Sequence, residues 1–95
     1  MFWCKCHSIK ENLVVAVCDE DLLGKEIGKK FKIKIKQDFY GGELADENKV
    51  LECMKKATIG NLIGKKIVKF ALEKKFITKE NIMLIDDIPH AQFLK

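Results

Sequence analysis

The sequence predicts an α+β fold: one small domain with a mixed or antiparallel sheet of about five strands and a helical pair packed on one face. Three observations carry this. Residues 31–36 alternate strictly between apolar Phe31, Ile33 and Ile35 and basic Lys32, Lys34 and Lys36, the period of a half-buried strand. Two later stretches place apolar residues at helical spacing, Val50, Leu51, Cys53, Met54 and Ala57, then Ile59, Leu62, Ile63, Ile67, Phe70 and Ala71. Finally, 95 residues that are 47% hydrophobic and 34% charged are sized for a single core, and half-apolar elements need a second layer to cover them.

Taken in order, residues 2–8 and the apolar run 13–18 read as a β-hairpin across Ile9, Lys10, Glu11 and Asn12. Asp19 is placed to cap a short turn that carries Glu20 and Asp21, points Leu22 and Leu23 inward and stops at Gly24. Residues 37–45 lack periodicity and contain Gly41 and Gly42, which predicts a loop able to visit positive φ. Asp46 caps a helix over residues 47–56, and Thr58 caps a longer one to about Lys75, or the two form one bent helix. Residues 78–81 read as a turn, 82–85 as a buried strand, and Pro89 as a sharp connection before a last strand at 91–94.

No apolar run is long enough to span a bilayer and no secretory leader pattern is present, so we expect a cytoplasmic protein without a membrane partner. In that reducing compartment Cys4, Cys6, Cys18 and Cys53 are expected as thiols or ligands rather than a disulfide framework. Cys4, Cys6, His7 and Cys18 are zinc-ligand types, but alternation puts Cys4 and Cys6 on one face and His7 on the other, and no second pair follows. We assign no metal, cofactor or catalytic residue, and read these cysteines as small apolar strand residues.

The net charge of +4 comes entirely from lysine, so any nucleic-acid contact would be backbone electrostatics rather than base reading. Lys32, Lys34 and Lys36, with Lys65 and Lys69 one turn apart, are the candidate phosphate contacts. The bland alternative is lysine enrichment that serves solubility or heat tolerance. The segment from Gly60 through Gly64 to Lys66 is similar to a phosphate-binding loop, but three residues rather than four separate its glycines, no Ser or Thr follows the lysine, and its pattern is helical. We read Gly60 and Gly64 as a close-packing groove.

Four stretches, AVCDEDLLGK at 16–25, FYGGEL at 39–44, ATIGNLIG at 57–64 and IPHAQ at 88–92, together resemble the archaeal domain-of-unknown-function 424 family. The hairpin cysteines depart from that family's pattern, in which ordinary strand formers occupy the region. The resemblance implies a small α/β protein with no assigned reaction and an expected role near RNA or translation. It singles out Asp19, Glu20, Tyr40, Gly41, Gly42, Glu43, Asn61, His90 and Gln92. Of these, Tyr40, Glu43, Asn61, His90 and Gln92 are not required by the apolar pattern, and we expect them to converge as a ligand patch or as a hydrogen-bonded staple. The leading expectation is a non-enzymatic RNA-associated accessory protein, with RNA or a ribonucleoprotein as partner. The alternative is a protein-interaction module that docks a partner through the Gly41–Gly42 loop and the C-terminal strand.

Overall fold

A computed structural model describes residues 1–30 and 32–95. Strand β1 (Phe2–Ile9) and strand β2 (Asn12–Asp19) form the expected hairpin, closed by the two-residue turn Lys10–Glu11 with Lys10 at φ 56°. Its two faces follow the period of two. On β2, Val15 and Val17 enter one core while Ala16 and Cys18 enter another, so Val14 to Asp19 is buried without interruption. A strand covered on both faces reads as a continuous apolar run, and β2 is central for that reason.

After a 3₁₀ turn (Glu20–Leu22) come strands β3 (Glu26–Ile27) and β4 (Ile33–Lys34), which pair antiparallel as a separate two-stranded ribbon. The expected strand over 31–36 is thus shorter than its alternation suggests, and Phe31 lies outside the described residues. Ile35 is 1% exposed and Ile33 is 42% exposed, so one end of the apolar face is covered and the other is not.

The expected loop 37–45 instead holds a one-turn helix α1 (Gln37–Tyr40) and a strand β5 (Glu43–Ala45) that pairs with β1. Neither Gly41 nor Gly42 has positive φ. Gly42 is small for another reason: a Cβ there would overlap the Cys4 carbonyl, because β5 runs close along β1.

Helix α2 (Glu47–Lys56) has the predicted bounds, with the Asp46 carboxylate accepting from the Lys49 N–H at 2.9 Å. The next segment departs from expectation. Residues 59–63 are strand β6 (Ile59–Ile63), parallel to β2, and helix α3 (Lys65–Glu73) begins only after Gly64 at φ 126°. A five-residue stretch with only Ile59, Leu62 and Ile63 apolar fits helix and strand periods alike, and their spacing happens to continue the phase of α3. Gly60 is close-packed as expected, but a side chain rather than another backbone approaches it: it sits opposite Phe93, and a Cβ there would overlap that ring. Thr58 bonds the Asn12–Leu13 end of β2 instead of capping a helix.

A second 3₁₀ turn (Lys79–Asn81), boxed by Thr78 and Asn81, leads to strands β7 (Ile82–Ile85) and β8 (Ile88–Leu94). Their turn is Asp86–Asp87, with Asp86 at φ 55°; Pro89 lies within β8 rather than before it. Pro89 is tolerated because β6 has just ended there, and its carbonyl accepts from Gly64 N–H at 2.9 Å. β7 is also less buried than expected, with Met83 and Leu84 exposed.

The six-stranded sheet has the order β5-β1-β2-β6-β8-β7, antiparallel except for β2 and β6. Helices α2 and α3 cover one face, where Val50, Met54, Ile67 and Phe70 meet Val15, Val17, Leu62 and Phe93. The ribbon, the first 3₁₀ turn and α1 cover part of the other, where Leu22, Ile27, Ile35 and Tyr40 meet Ala16, Cys18 and Ile63. No helix among the described residues is long and apolar enough to cross a membrane.

Candidate functional site

The five polar residues expected to converge are divided among three places. Asn61 on β6 stands opposite Gln92 on β8, and the Gln92 Nε2 donates to the Asn61 Oδ1 at 2.7 Å. His90, two residues earlier on β8, shares that face and is half-buried. Burial holds its pKa below the usual histidine value, because desolvation disfavours the charged imidazolium. These three residues form one polar strip on an open part of the sheet.

Tyr40 is elsewhere, buried in the second core edge-on to Phe39 at 4.9 Å. Burial, then the nearby Cys18, pushes its hydroxyl pKa up to about 12. Glu43 is on β5, opposite Cys4, three strands from β6 and four from β8. At about 4.8 Å per strand that is roughly 14 Å from β6 and 19 Å from β8, out of reach of Asn61 and His90. The turn expected of Gly41 and Gly42 does not occur, because β5 completes the far edge of the sheet.

The lysines are divided as well. Lys32, Lys34 and Lys36 are exposed on and beside the ribbon, with Lys32 4.0 Å from Glu26 across it. Lys65 and Lys69 lie on α3, on the opposite face of the sheet, so the two sets do not form one surface. The ribbon is where the charge sits. Residues 24–36 hold six lysines against one glutamate, a net of +5, whereas the other 82 residues hold 12 lysines and 13 carboxylates. All six of those lysines are exposed.

The Gly60–Lys66 segment does connect a strand to a helix, contrary to the helical pattern expected there, and so shares that one feature with a phosphate-binding loop. A carboxylate already fills the anion position at that helix start, however. Asp19, only 6% exposed, accepts from the Lys66 N–H through Oδ2 and from the Ile67 N–H through Oδ1, both at 2.9 Å. It makes no side-chain cap for its own 3₁₀ turn. A cleft of about 300 Å³ beside it is lined by Asp21, Leu22, Lys65, Lys66 and Ile88.

Cys18 does not join Cys4 and Cys6. It faces the second core, where burial, then Asp19 and Asp21, pushes its thiol pKa up to about 12, whereas Cys4 and Cys6 face α2. His7 points away from both, stacked on Phe39 at 4.9 Å with its Nε2–H donating to the Phe39 carbonyl at 2.8 Å. The thiol that does meet Cys4 and Cys6 is Cys53 of α2, which lines one groove with both. Sequence gives no local signal for that contact, since Cys53 lies 47 positions after Cys6. Among the described residues no three His, Cys, Asp or Glu side chains are arranged to hold a metal ion.

β8 lies between β6 and β7, but its ladder with β7 stops at Ala91, so Gln92, Phe93 and Leu94 pair with β6 alone; the outer strands of the six-stranded sheet are β5 and β7.

The chain is thus an α+β sheet domain with one helix-covered face, a basic ribbon on the other and an open polar strip. The family model described as Protein of unknown function (DUF424) matches residues 7–95, and the chain belongs to that family. The fold is similar to that in the crystal structure of an uncharacterized conserved protein from Methanopyrus kandleri, with a TM-score of 0.80, 24% identity, and 97% of this chain and 89% of that chain covered. No curated protein matches the sequence.

Proposed function

We propose that this domain is a non-enzymatic, RNA-associated accessory protein of the cytoplasm that grips the phosphate backbone through its β3–β4 ribbon. The observation that supports this reading is the concentration of charge: a net of +5 within 13 residues, all six lysines exposed, on a molecule otherwise close to neutral. Lysine ammonium groups neutralise phosphates as point charges and release condensed counterions, which binds RNA without reading its sequence. The amides of Asn61 and Gln92 offer donors and acceptors on the open strip, on the face of the sheet that carries the ribbon.

The test is fluorescence anisotropy with a labelled single-stranded RNA across a salt series. Binding is expected to weaken steeply with salt. Replacing Lys32, Lys34 and Lys36 together by glutamine is expected to reduce the log–log slope by about 2, at about 0.7 for each phosphate no longer neutralised. Lys65→Gln with Lys69→Gln leaves the slope unchanged. Equal slopes for the ribbon variant and the parent protein would refute the assignment.

A second reading has its own observation. Met83 and Leu84 on the free edge strand β7 are 64% and 66% exposed, which suits strand addition by a protein partner. Such binding would depend little on salt and would be lost on charging Leu84.

A further inference from the structure

The groove between β1 and α2 holds thiol chemistry that RNA binding does not use. Alternation along β1 sends Cys4 and Cys6 to the helix-covered face, and Cys53 of α2 lines the same groove as both. The groove, about 380 Å³ and open to solvent, is also lined by Glu43 and Lys49. Cys4 is buried, Cys53 is half-buried and Cys6 is exposed. These thiols meet in pairs around Cys53, and among the described residues no three-ligand set for a metal ion is present.

We propose that Cys6 and Cys53 are a redox modification site, a dithiol that closes to a disulfide between β1 and α2 by exchange with a small-molecule disulfide. Cys6 is the attacking sulfur because it is the exposed one and the small disulfide can reach it; burial, then Cys53, raises its thiol pKa, and the Lys49 ammonium opposes that rise. Cys4 is unsuited, since burial followed by Cys53 holds its proton on far more tightly than in a free thiol. In the first step the Cys6 thiolate attacks one sulfur of the small disulfide. A mixed disulfide forms on Cys6 and one small thiolate leaves, taking up a proton. In the second, Cys53 gives its proton to water and its thiolate attacks the Cys6 sulfur, expelling the second small thiolate. Two protein thiols are oxidised to one disulfide while one small disulfide is reduced to two thiols. The closed loop runs from β1 through the ribbon to α2 and pins the edge of the sheet to its covering helix.

The experiment treats the native, fully reduced chain with oxidised glutathione, followed by intact mass and tryptic mapping. Cleavage after Lys5 separates Cys4 from Cys6, so the bridged peptides identify the partner directly. The expected product has lost two hydrogens, links the Cys6 and Cys53 peptides, reverts with dithiothreitol and melts at a higher temperature than the reduced form. Cys53→Ser is expected to stop at a glutathione adduct on Cys6. Cys6→Ser, an exposed substitution whose circular dichroism checks the fold, is expected to give neither adduct nor bridge, and Cys4→Ser to bridge as the parent does. A Cys4–Cys53 link, an unbridged adduct in the parent, or four thiols left free after treatment would overturn the proposal.

Discussion

Asp19→Ala is the substitution that most directly tests how this fold is held. The start of α3 has glycine in the cap position, so it has no side-chain cap of its own, and Asp19 supplies one from the end of β2. Removing the carboxylate orphans the N–H groups of Lys66 and Ile67 beneath a residue that is only 6% exposed. An ordinary cap is worth about 1 kcal/mol, and a charge-assisted hydrogen bond about 1.5–3 kcal/mol. Two such bonds sharing one carboxylate give about 2–4 kcal/mol, which for a domain of this size lowers Tm by about 10–25 °C. The measurement is guanidinium unfolding followed by far-UV circular dichroism, with Asp21→Ala as an exposed control expected to stay within about 0.5 kcal/mol. Gly64→Ala supplies the cross-check. A Cβ on Gly64 would overlap the Asp19 carboxylate, so with the carboxylate gone the steric part of its cost vanishes and only the positive-φ strain remains. The two substitutions are therefore sub-additive, with a coupling of about 0.5–3 kcal/mol. An Asp19→Ala protein as stable as the Asp21→Ala control would refute the reasoning.

Gly60→Ala forces its methyl group into the Phe93 ring and is expected to cost about 1–3 kcal/mol, with the cost shrinking when Phe93 is also changed to leucine; equal costs in both backgrounds would show that the ring is not the obstacle. Because burial lowers the pKa of His90, the unfolded chain binds this proton more readily than the folded one. The stability it contributes is complete above its ordinary value of 6.5 and is lost as pH falls through the lower folded value. His90→Gln should therefore flatten the fall in unfolding free energy between about pH 7 and 5, and an unchanged slope would remove His90 as its source. Asn61→Ala and Gln92→Ala each remove the same exposed cross-strand bond, so each should cost about 0.5–1.5 kcal/mol, and the double variant little more than either one; full additivity would mean that the amides do not hold each other.

How much of the fold is legible in the sequence depends on whether the signal is local. The hairpin and α2 are legible, because alternation, a turn and an Asp46 cap are each written within a few residues. β6 is not. Its five residues carry no helix or strand preference strong enough to decide, and what makes it a strand is the company of β2 and β8, which supply both its ladders. Gly64 is the local sign of the break, since φ 126° is open to glycine and not to a residue inside a helix, but a glycine in a helical pattern also reads as a packing notch. β5 escapes a sequence reading for the same reason as β6: three residues become a strand only because β1 is there to pair with them.

The candidate sites divide along the same line. The Asn61–Gln92 pair is reachable because both residues stand out against the apolar pattern, yet joining Tyr40 and Glu43 to them requires a strand order that no local pattern encodes. Asp19 shows the limit most clearly. From sequence it is the first of three adjacent carboxylates at the start of a short turn, and capping that turn is what the local chemistry favours. In the fold, β2 and β6 are parallel and end together, so the last residue of β2 stands beside the first turn of α3, 47 positions away along the chain. A parallel pair followed by a helix presents unsatisfied N–H groups at its carboxyl end, and many proteins place a ligand's phosphate there. Here the chain satisfies those donors itself. The proposed RNA contact therefore rests on the exposed lysines of the ribbon and not on the strand–glycine–helix junction.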